Sequence, residues 1–217
     1  MQHQFYATVG LLFAVAAQAY LLGCVNGAIL VSRLLYGEDI RQRGSGNAGL
    51  TNFYRNYGAA WAPAVIATDM GKAALAVWVG GLLTGHFLSF SLLGKLCAGL
   101  FCVIGHMFPA FYAFHGGKGI LCSGTLLLFL DWRVAVVSWA VFLLLWLTTR
   151  YVSLGSVTAA VCFPLMMHVI YGDVFLTVPA LLIAFLVLWA HRENINRLMH
   201  GTERKFRFHI HTSEDEK

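Results

Sequence analysis

Charge is scarce in this 217-residue chain: only 12% of the residues are Asp, Glu, Lys or Arg, whereas 59% are hydrophobic. A soluble domain carries about 25% charged and about 45–50% apolar residues. With half of the usual charge, the chain has too little polar surface to cover a globule in water. This argues against a soluble enzyme, a disordered regulator and a nucleic-acid-binding domain. The apolar runs are long rather than alternating, so the composition predicts an all-α integral membrane protein rather than a β-barrel.

Metal-site and disulfide spacings are also missing from the sequence. The five cysteines all lie in apolar stretches, and none forms a CxxC pair or a Cys/His cluster. Free cysteines in such positions behave as small hydrophobic residues. We therefore predict no disulfide, no metal and no cofactor. The first run also lacks the cationic segment of a signal peptide, since Arg33 is the first Lys or Arg, and we expect it to be retained as a span.

Seven apolar runs approach the length of a membrane span, which is about 20 residues. They predict about seven transmembrane helices in a single domain, residues 1–217. Because the fourth and fifth runs are short, a five-span arrangement with one run at the membrane interface stays open. The runs cover residues 8–35, 59–83, 88–111, 120–130, 134–147, 154–170 and 175–190.

The basic residues fall mainly on one side of these spans. If the N-terminus is external, the internal loops and the tail carry the cations from Arg41 to Arg207, whereas the external loops carry essentially only Arg133. This is the positive-inside pattern. It predicts a cytoplasmic C-terminus and places three unusual polar segments, near residues 41–55, 105–119 and 191–205, on the cytoplasmic face.

The first polar segment runs from Arg41 to Arg55 and combines glycine with hydrogen-bonding side chains. Its glycines allow positive φ and leave backbone N–H groups open to an anion. This composition suits a phosphate; the alternative is a flexible interfacial loop that follows the positive-inside rule. The candidate phosphate-binding residues are Arg43, Ser45, Gly46, Asn47, Thr51, Asn52 and Arg55.

The second segment ends in the turn Gly116-Gly117-Lys118-Gly119, which opens an apolar run. Backbone donors, an ammonium group and a helix N-terminus would converge there on an anion. The turn is not a Walker A loop, because Gly119 and not Ser or Thr follows Lys118. The alternative is a kinked span with an interfacial lysine. His106, upstream in this segment, is equally compatible with a structural and a catalytic role.

The third segment begins at the end of the last run. Helical spacing places four residues on one face, His191, Asn194, Ile195 and Leu198, although an ordinary charged helix end would look similar. Within the second run, Asp69 and Lys72 are three residues apart and can meet. An ionisable pair at that depth faces a cavity or a partner, and structural and functional interpretations of this pair stay equally open.

Together the three segments resemble the bacterial acyl-phosphate:glycerol-3-phosphate acyltransferase family, the PlsY type. Five positions depart from the usual family pattern: Ala48 for Pro, Leu50 for Ala, Ala73 for Gly, His115 for Lys and Cys122 for Thr. The matching residues are Gly44-Ser45-Gly46-Asn47-x-Gly49-x-Thr51-Asn52 with Arg55; Gly105-His106-x-Phe108-Pro109-x-Phe111-x-x-Phe114-x-Gly116-Gly117-Lys118-Gly119; and His191-x-Glu193-Asn194-Ile195-x-Arg197-Leu198-x-x-Gly201-x-Glu203.

The resemblance implies transfer of a fatty acyl group from acyl phosphate to glycerol 3-phosphate, with membrane lipid as the surroundings, at the cytoplasmic face of the bacterial inner membrane. It implies catalytic roles for Ser45, Arg55, Lys118, His191 and Asn194. It adds Gly116, Gly117, Gly119 and His200 to the phosphate-binding set, and leaves His106, Asp69, Lys72 and Glu203 as structural or undecided. The alternative is a small transporter of an organic phosphate or another anion, for which polar residues should continue across the bilayer.

Overall fold

The chain is helical throughout the part that this computed structural model describes, residues 2–207. Those residues form ten α-helices and two short 3-10 helices, Ile40–Gln42 and Ala110–Tyr112, and contain no strand. The α-helices are α1 Gln2–Gly23, α2 Gly27–Tyr36, α3 Leu50–Tyr57, α4 Ala62–Leu88, α5 Ser91–Met107, α6 Ile120–Leu130, α7 Trp132–Thr149, α8 Val152–Tyr171, α9 Val174–Ala190 and α10 Arg192–Met199.

Five helical stretches of the described residues are long and apolar enough to cross a membrane. A sixth candidate consists of α9 and α10, which are bent by 61° relative to each other. The predicted run 120–130 is the 11-residue helix α6, too short for an ordinary span. The structure thus confirms the all-α membrane architecture, while the count of seven spans and the external N-terminus stay predictions. The five stretches are Gln4–Tyr36, Ala62–Leu88, Ser91–Tyr112, Trp132–Thr149 and Val152–Tyr171.

The first apolar run is broken between α1 and α2, and polar side chains satisfy the break. Asn26 caps α2, since its side-chain oxygen accepts a hydrogen bond from the backbone N–H of Ile29 (3.0 Å). The Lys72 ammonium donates to the carbonyl oxygens of Gly23 (3.1 Å) and Val25, at the end of α1. Backbone groups freed within a membrane need such partners.

Asp69 completes this arrangement from α4. Its Oδ1 accepts the backbone N–H of Gly27 (3.1 Å) and lies 2.9 Å from Lys72 Nζ, with both side chains buried. The pair thus neutralises itself and holds the broken helix against α4. The contacts favour the structural interpretation of Asp69 and Lys72.

Two glycines bring α1 and α5 into backbone contact. A Cβ atom at Gly23 would overlap the carbonyl oxygen of Cys102, and one at Gly105 would overlap that of Tyr20. Small residues allow this close approach of helices within a membrane. Large apolar side chains such as Phe175 instead face outward, as expected where lipid replaces water.

Candidate active site

The first polar segment is shaped from inside by Asn52, which is buried in α3. Its Nδ2 donates to the carbonyl oxygens of Ile40 (3.3 Å), Arg43 (3.0 Å) and Asn47 (3.0 Å). Its Oδ1 accepts the backbone N–H of Ser45 (3.0 Å). Asn52 was predicted to bind phosphate directly, but these bonds occupy its amide group, so it acts on the loop rather than on a ligand.

The loop that Asn52 holds exposes Ser45 and Gly46 at its tip, and Asn47 and Thr51 are partly exposed beside them. Gly46 has φ +73°, a left-handed conformation that favours glycine. Arg43 points away, since its Nε lies 2.5 Å from Glu38 Oε2 and its side chain is 56% exposed. Arg43 was predicted to bind phosphate, but its side chain instead forms an ion pair with Glu38 at the surface.

Arg41 joins the first segment to the second. Its guanidinium donates to the carbonyl oxygens of Tyr112 (2.7 Å) and His115 (3.1 Å) and pairs with Asp39 (2.7 Å). The hydrogen bond from Arg41 holds the pKa of the Asp39 carboxyl well below its usual range. This bridge keeps the two glycine-containing loops at a fixed separation.

The glycine turn differs from the open cradle that the sequence predicts. The N–H of Gly116 donates to the carbonyl oxygen of Met107 (3.1 Å), and the N–H of Gly117 donates to that of His106 (3.1 Å). Both donors are therefore engaged within the chain. Gly119, at φ +78°, begins α6 without a side-chain cap, so the turn chiefly presents the Lys118 side chain.

His106 supports this turn from the membrane side. It is buried, and Lys72 Nζ lies 2.9 Å from its Nδ1. A Cβ atom at Gly117 would overlap His106 Nε2 and lie 2.6 Å from the carbonyl oxygen of Ala48. The histidine is thus packed beneath the turn, and these contacts favour a structural role for it over a catalytic one.

Lys118 reaches the third segment, where its ammonium donates to Asn194 Oδ1. Asn194 is buried, and its Nδ2 donates to Glu203 Oε1 (2.6 Å). Ser153 (2.8 Å) and Arg197 (2.8 Å) also donate to the Glu203 carboxylate. Glu203 is therefore the centre of a network that fixes the Asn194 amide with its oxygen toward Lys118.

Arg55 belongs to the same network through the neighbouring residue. Its Nη2 donates to the carbonyl oxygen of Arg204 (2.9 Å). Burial lowers the pKa of Arg55, an effect that Glu203 opposes and that Arg204 and Arg197 reinforce. The first and third segments therefore meet at two consecutive residues, Glu203 and Arg204.

His191 stands buried where α9 ends. Its Nδ1 lies 2.8 Å from the carbonyl oxygen of Val187, and because a carbonyl only accepts, Nδ1 carries the proton. The pKa of His191 is lowered to about 4, mainly by burial and secondly by the positive charge of Lys118. The ring is thus neutral at pH 7, with the lone pair on Nε2. His200 is exposed and bonded to Asn196, away from this network.

The network carries an excess of positive charge. Lys118, Arg55 and Arg197 surround one buried carboxylate, that of Glu203. The pKa of Lys118 is lowered to about 8, mainly by burial and secondly by the positive charge of Arg197. Cations that repel one another at a half-buried site gain from a bound anion. Ser153 is a member that the sequence analysis missed, because it lies just before the apolar run 154–170 with no motif around it.

Comparisons with known proteins identify the family of the chain. The family model described as "Glycerol-3-phosphate acyltransferase" matches residues 13–201. A protein of that name from Carboxydothermus hydrogenoformans is 40% identical over 88% of this chain and 94% of its own. One from Thermus thermophilus is 40% identical over 86% and 91%.

Two solved structures are also similar. They are forms of PlsY, an integral membrane glycerol 3-phosphate acyltransferase, with glycerol 3-phosphate (34% identity, TM-score 0.81, 90% of this chain and 96% of that one) and with lysophosphatidic acid (33%, 0.78, 90% and 95%). The chain belongs to the glycerol-3-phosphate acyltransferase family.

Proposed function

We propose that this chain transfers a fatty acyl group from acyl phosphate to glycerol 3-phosphate, releasing phosphate and 1-acyl-glycerol 3-phosphate, the first acylation of phospholipid synthesis. The observation that carries the proposal is the cluster of three cations, Arg55, Lys118 and Arg197, around the Glu203 carboxylate in a helical membrane protein. The family match favours this reaction over the transporter alternative.

Both proposed substrates carry phosphate, which explains the excess of cations. Arg55 and Lys118 would neutralise the substrate phosphates, and the exposed Ser45 at the tip of the first loop would hold one of them by its hydroxyl. With a good leaving group already present, positioning and charge stabilisation are sufficient for rapid transfer.

The proposed step is a direct attack. A hydroxyl oxygen of glycerol 3-phosphate bonds to the acyl carbon, the bond from that carbon to the phosphate oxygen breaks, and phosphate leaves with the electron pair. The hydroxyl proton passes to a base. His191 Nε2 is the proposed acceptor, because Nδ1 is already protonated and the neutral ring has its lone pair on Nε2.

An apolar cleft next to the network provides room for the acyl chain. It lies among α6, α7, α8 and α9 and is lined mainly by apolar side chains. Its lining includes Ile120, which follows the glycine turn, and Val187, whose carbonyl oxygen contacts His191. An acyl group whose carbonyl reacts near His191 could therefore extend between these helices.

We expect purified protein to use acyl phosphate and to show little transfer from acyl-CoA or acyl carrier protein. The proposed donor site recognises a small phosphate beside cations, whereas the other donors have a bulky leaving group. The assay supplies each donor separately with radiolabelled glycerol 3-phosphate and measures labelled 1-acyl-glycerol 3-phosphate. Transfer from acyl-CoA at a rate equal to that from acyl phosphate would contradict the proposed donor.

We also propose that the network faces the cytoplasm. In a Cys-free background, a cysteine at Ser45 should react with a membrane-impermeant maleimide only after the cells are opened. A cysteine at Ser89, exposed between α4 and α5, is the matched external control and should react in intact cells. The reverse pattern would overturn the orientation that the basic loops predict.

A further inference from the structure

The segment that follows α10 is held against the site over its described length. Residues 202–206 have no regular secondary structure, and they lie just beyond the family match at 13–201. We call residues 202–206 the strap. Its contacts reach α3, the α7–α8 junction and α10, so it touches elements that are far apart in the sequence.

Phe206 is the apolar anchor of the strap. Its side chain is only 9% exposed, whereas Arg204 and Lys205 before it are exposed. The Phe206 ring stacks on Tyr54 with 5.0 Å between centroids and meets Trp146 edge-on at 5.5 Å. Aromatic pairs in these geometries are favourable beyond the area that they bury.

The backbone of Phe206 is fixed as well. Its N–H donates to the carbonyl oxygen of Arg150 (2.7 Å), where α7 ends. Side chain and backbone together therefore bind this residue between α3 and the α7–α8 junction. Phe206 therefore fixes the end of the strap, whereas Glu203, which accepts hydrogen bonds from Asn194 and Arg197, fixes its beginning, and Arg204 lies between these two points.

Those preceding residues are the ones that join the polar segments. Arg204 provides the carbonyl oxygen that accepts from Arg55 (2.9 Å), and Glu203 holds Asn194 (2.6 Å) and Arg197 (2.8 Å). Tyr54, on which Phe206 stacks, is also the neighbour of Arg55 in α3. The anchor thus lies two positions after Arg204 in the chain and contacts Tyr54, the residue that precedes Arg55.

We propose that Phe206 is a positioning residue that orients Arg55 toward the phosphate of glycerol 3-phosphate through the carbonyl of Arg204. This inference rests on the proposed function for the identity of the ligand. Without Phe206, the part of the strap that follows Glu203 would lose its contacts with Tyr54 and Trp146, and the half-buried Arg55 would lose its fixed acceptor, the Arg204 carbonyl. The positive charge of Arg55 would remain at the site, but its guanidinium would no longer be held in a fixed orientation.

Phe206→Ala should raise the KM for glycerol 3-phosphate about tenfold, because one hydrogen bond to a charged group is lost, with the KM for the acyl donor unchanged. Phe206→Leu retains an apolar anchor and should recover most of the affinity. Lys205→Ala is the matched control: this side chain is exposed on the same strap, and its ammonium lies 5.6 Å from the Tyr151 ring rather than in the network of Arg55 and Glu203, so both constants should stay as in the wild type. A rise in both KM values, or no rise in either, would overturn the positioning role.

A double-mutant cycle separates positioning from general packing. If Phe206 acts through Arg55, then Phe206→Ala should have less than a third of its effect in an Arg55→Lys background, because residues that act together are not additive. Full additivity would overturn the proposal, as would a tenfold loss in Phe206→Leu equal to that of the Ala variant.

Calorimetry with glycerol 3-phosphate alone gives a readout that needs no acyl donor. Weaker binding to Phe206→Ala than to wild type, about tenfold in Kd, supports the strap even if acyl phosphate proves to be the wrong donor. Equal binding to both proteins contradicts the strap. Failure of wild-type protein to transfer from acyl phosphate contradicts the proposed donor instead.

Discussion

Lys118→Ala is expected to reduce kcat/KM for glycerol 3-phosphate by roughly 10- to 150-fold. The ammonium donates to Asn194 and lies among Arg197, Glu203 and Arg55, so its loss removes a charge-assisted contact of about 1.5–3 kcal/mol. It also leaves the buried Asn194 oxygen without its donor. Steady-state kinetics with purified protein measure the effect.

The pH dependence gives this lysine a signature. Because the pKa of Lys118 is lowered to about 8, the free enzyme loses this charge as the pH rises through 8, and kcat/KM should fall there. His191, with its pKa lowered to about 4, stays neutral across this range and does not contribute. Lys118→Arg, whose group remains charged, should shift the decline to higher pH.

Two controls accompany the Lys118 prediction: a check that Lys118→Ala is folded, and the Lys118→Arg variant, which keeps the positive charge. Lys118→Ala should still elute as a folded protein in detergent, since the glycine turn is held by backbone hydrogen bonds to Met107 and His106. Unchanged kinetics in a folded Lys118→Ala protein would refute the phosphate-binding role, and an unchanged pH profile in Lys118→Arg would assign the decline to another group.

The helices were largely predictable because apolar runs report burial in lipid directly. The run 120–130 coincides with α6, and the predicted run 175–190 differs from α9 by one residue. The run 8–35 concealed a break, because Cys24 and Val25 are apolar and only Asn26 signals the end of a helix. The partners that permit the break, Lys72 and Asp69, are more than 40 residues away.

The three polar segments were predictable as segments, but not the task of each residue within them. Composition shows that Asn52 and Gly117 can donate hydrogen bonds, not where the bonds go. The Asn52 side-chain amide donates to a carbonyl oxygen of its own loop, and the Gly117 N–H donates to the carbonyl oxygen of His106. The glycine is required because a Cβ would collide with His106 and Ala48, a packing constraint that no local pattern reveals.

Arg55→Ala is expected to lower kcat/KM for glycerol 3-phosphate about a hundredfold, with Arg55→Lys still about tenfold below the wild type. One amino group of Arg55 is held by the Arg204 carbonyl, so the rest of the planar guanidinium is oriented and can meet a phosphate with parallel hydrogen bonds. Lysine carries the charge as a single point and cannot satisfy both partners in that geometry.

Arg192→Ala is the matched control for this prediction. Arg192 is exposed at the start of α10, with its guanidinium over the Trp189 ring at 4.5 Å, so its loss removes the same charge from the same region without touching the network. We expect near wild-type kinetics for it. If Arg192→Ala and Arg55→Ala were equally impaired, general surface charge would explain the effect. If Arg55→Lys were fully active, charge alone would suffice and the oriented contact would be wrong.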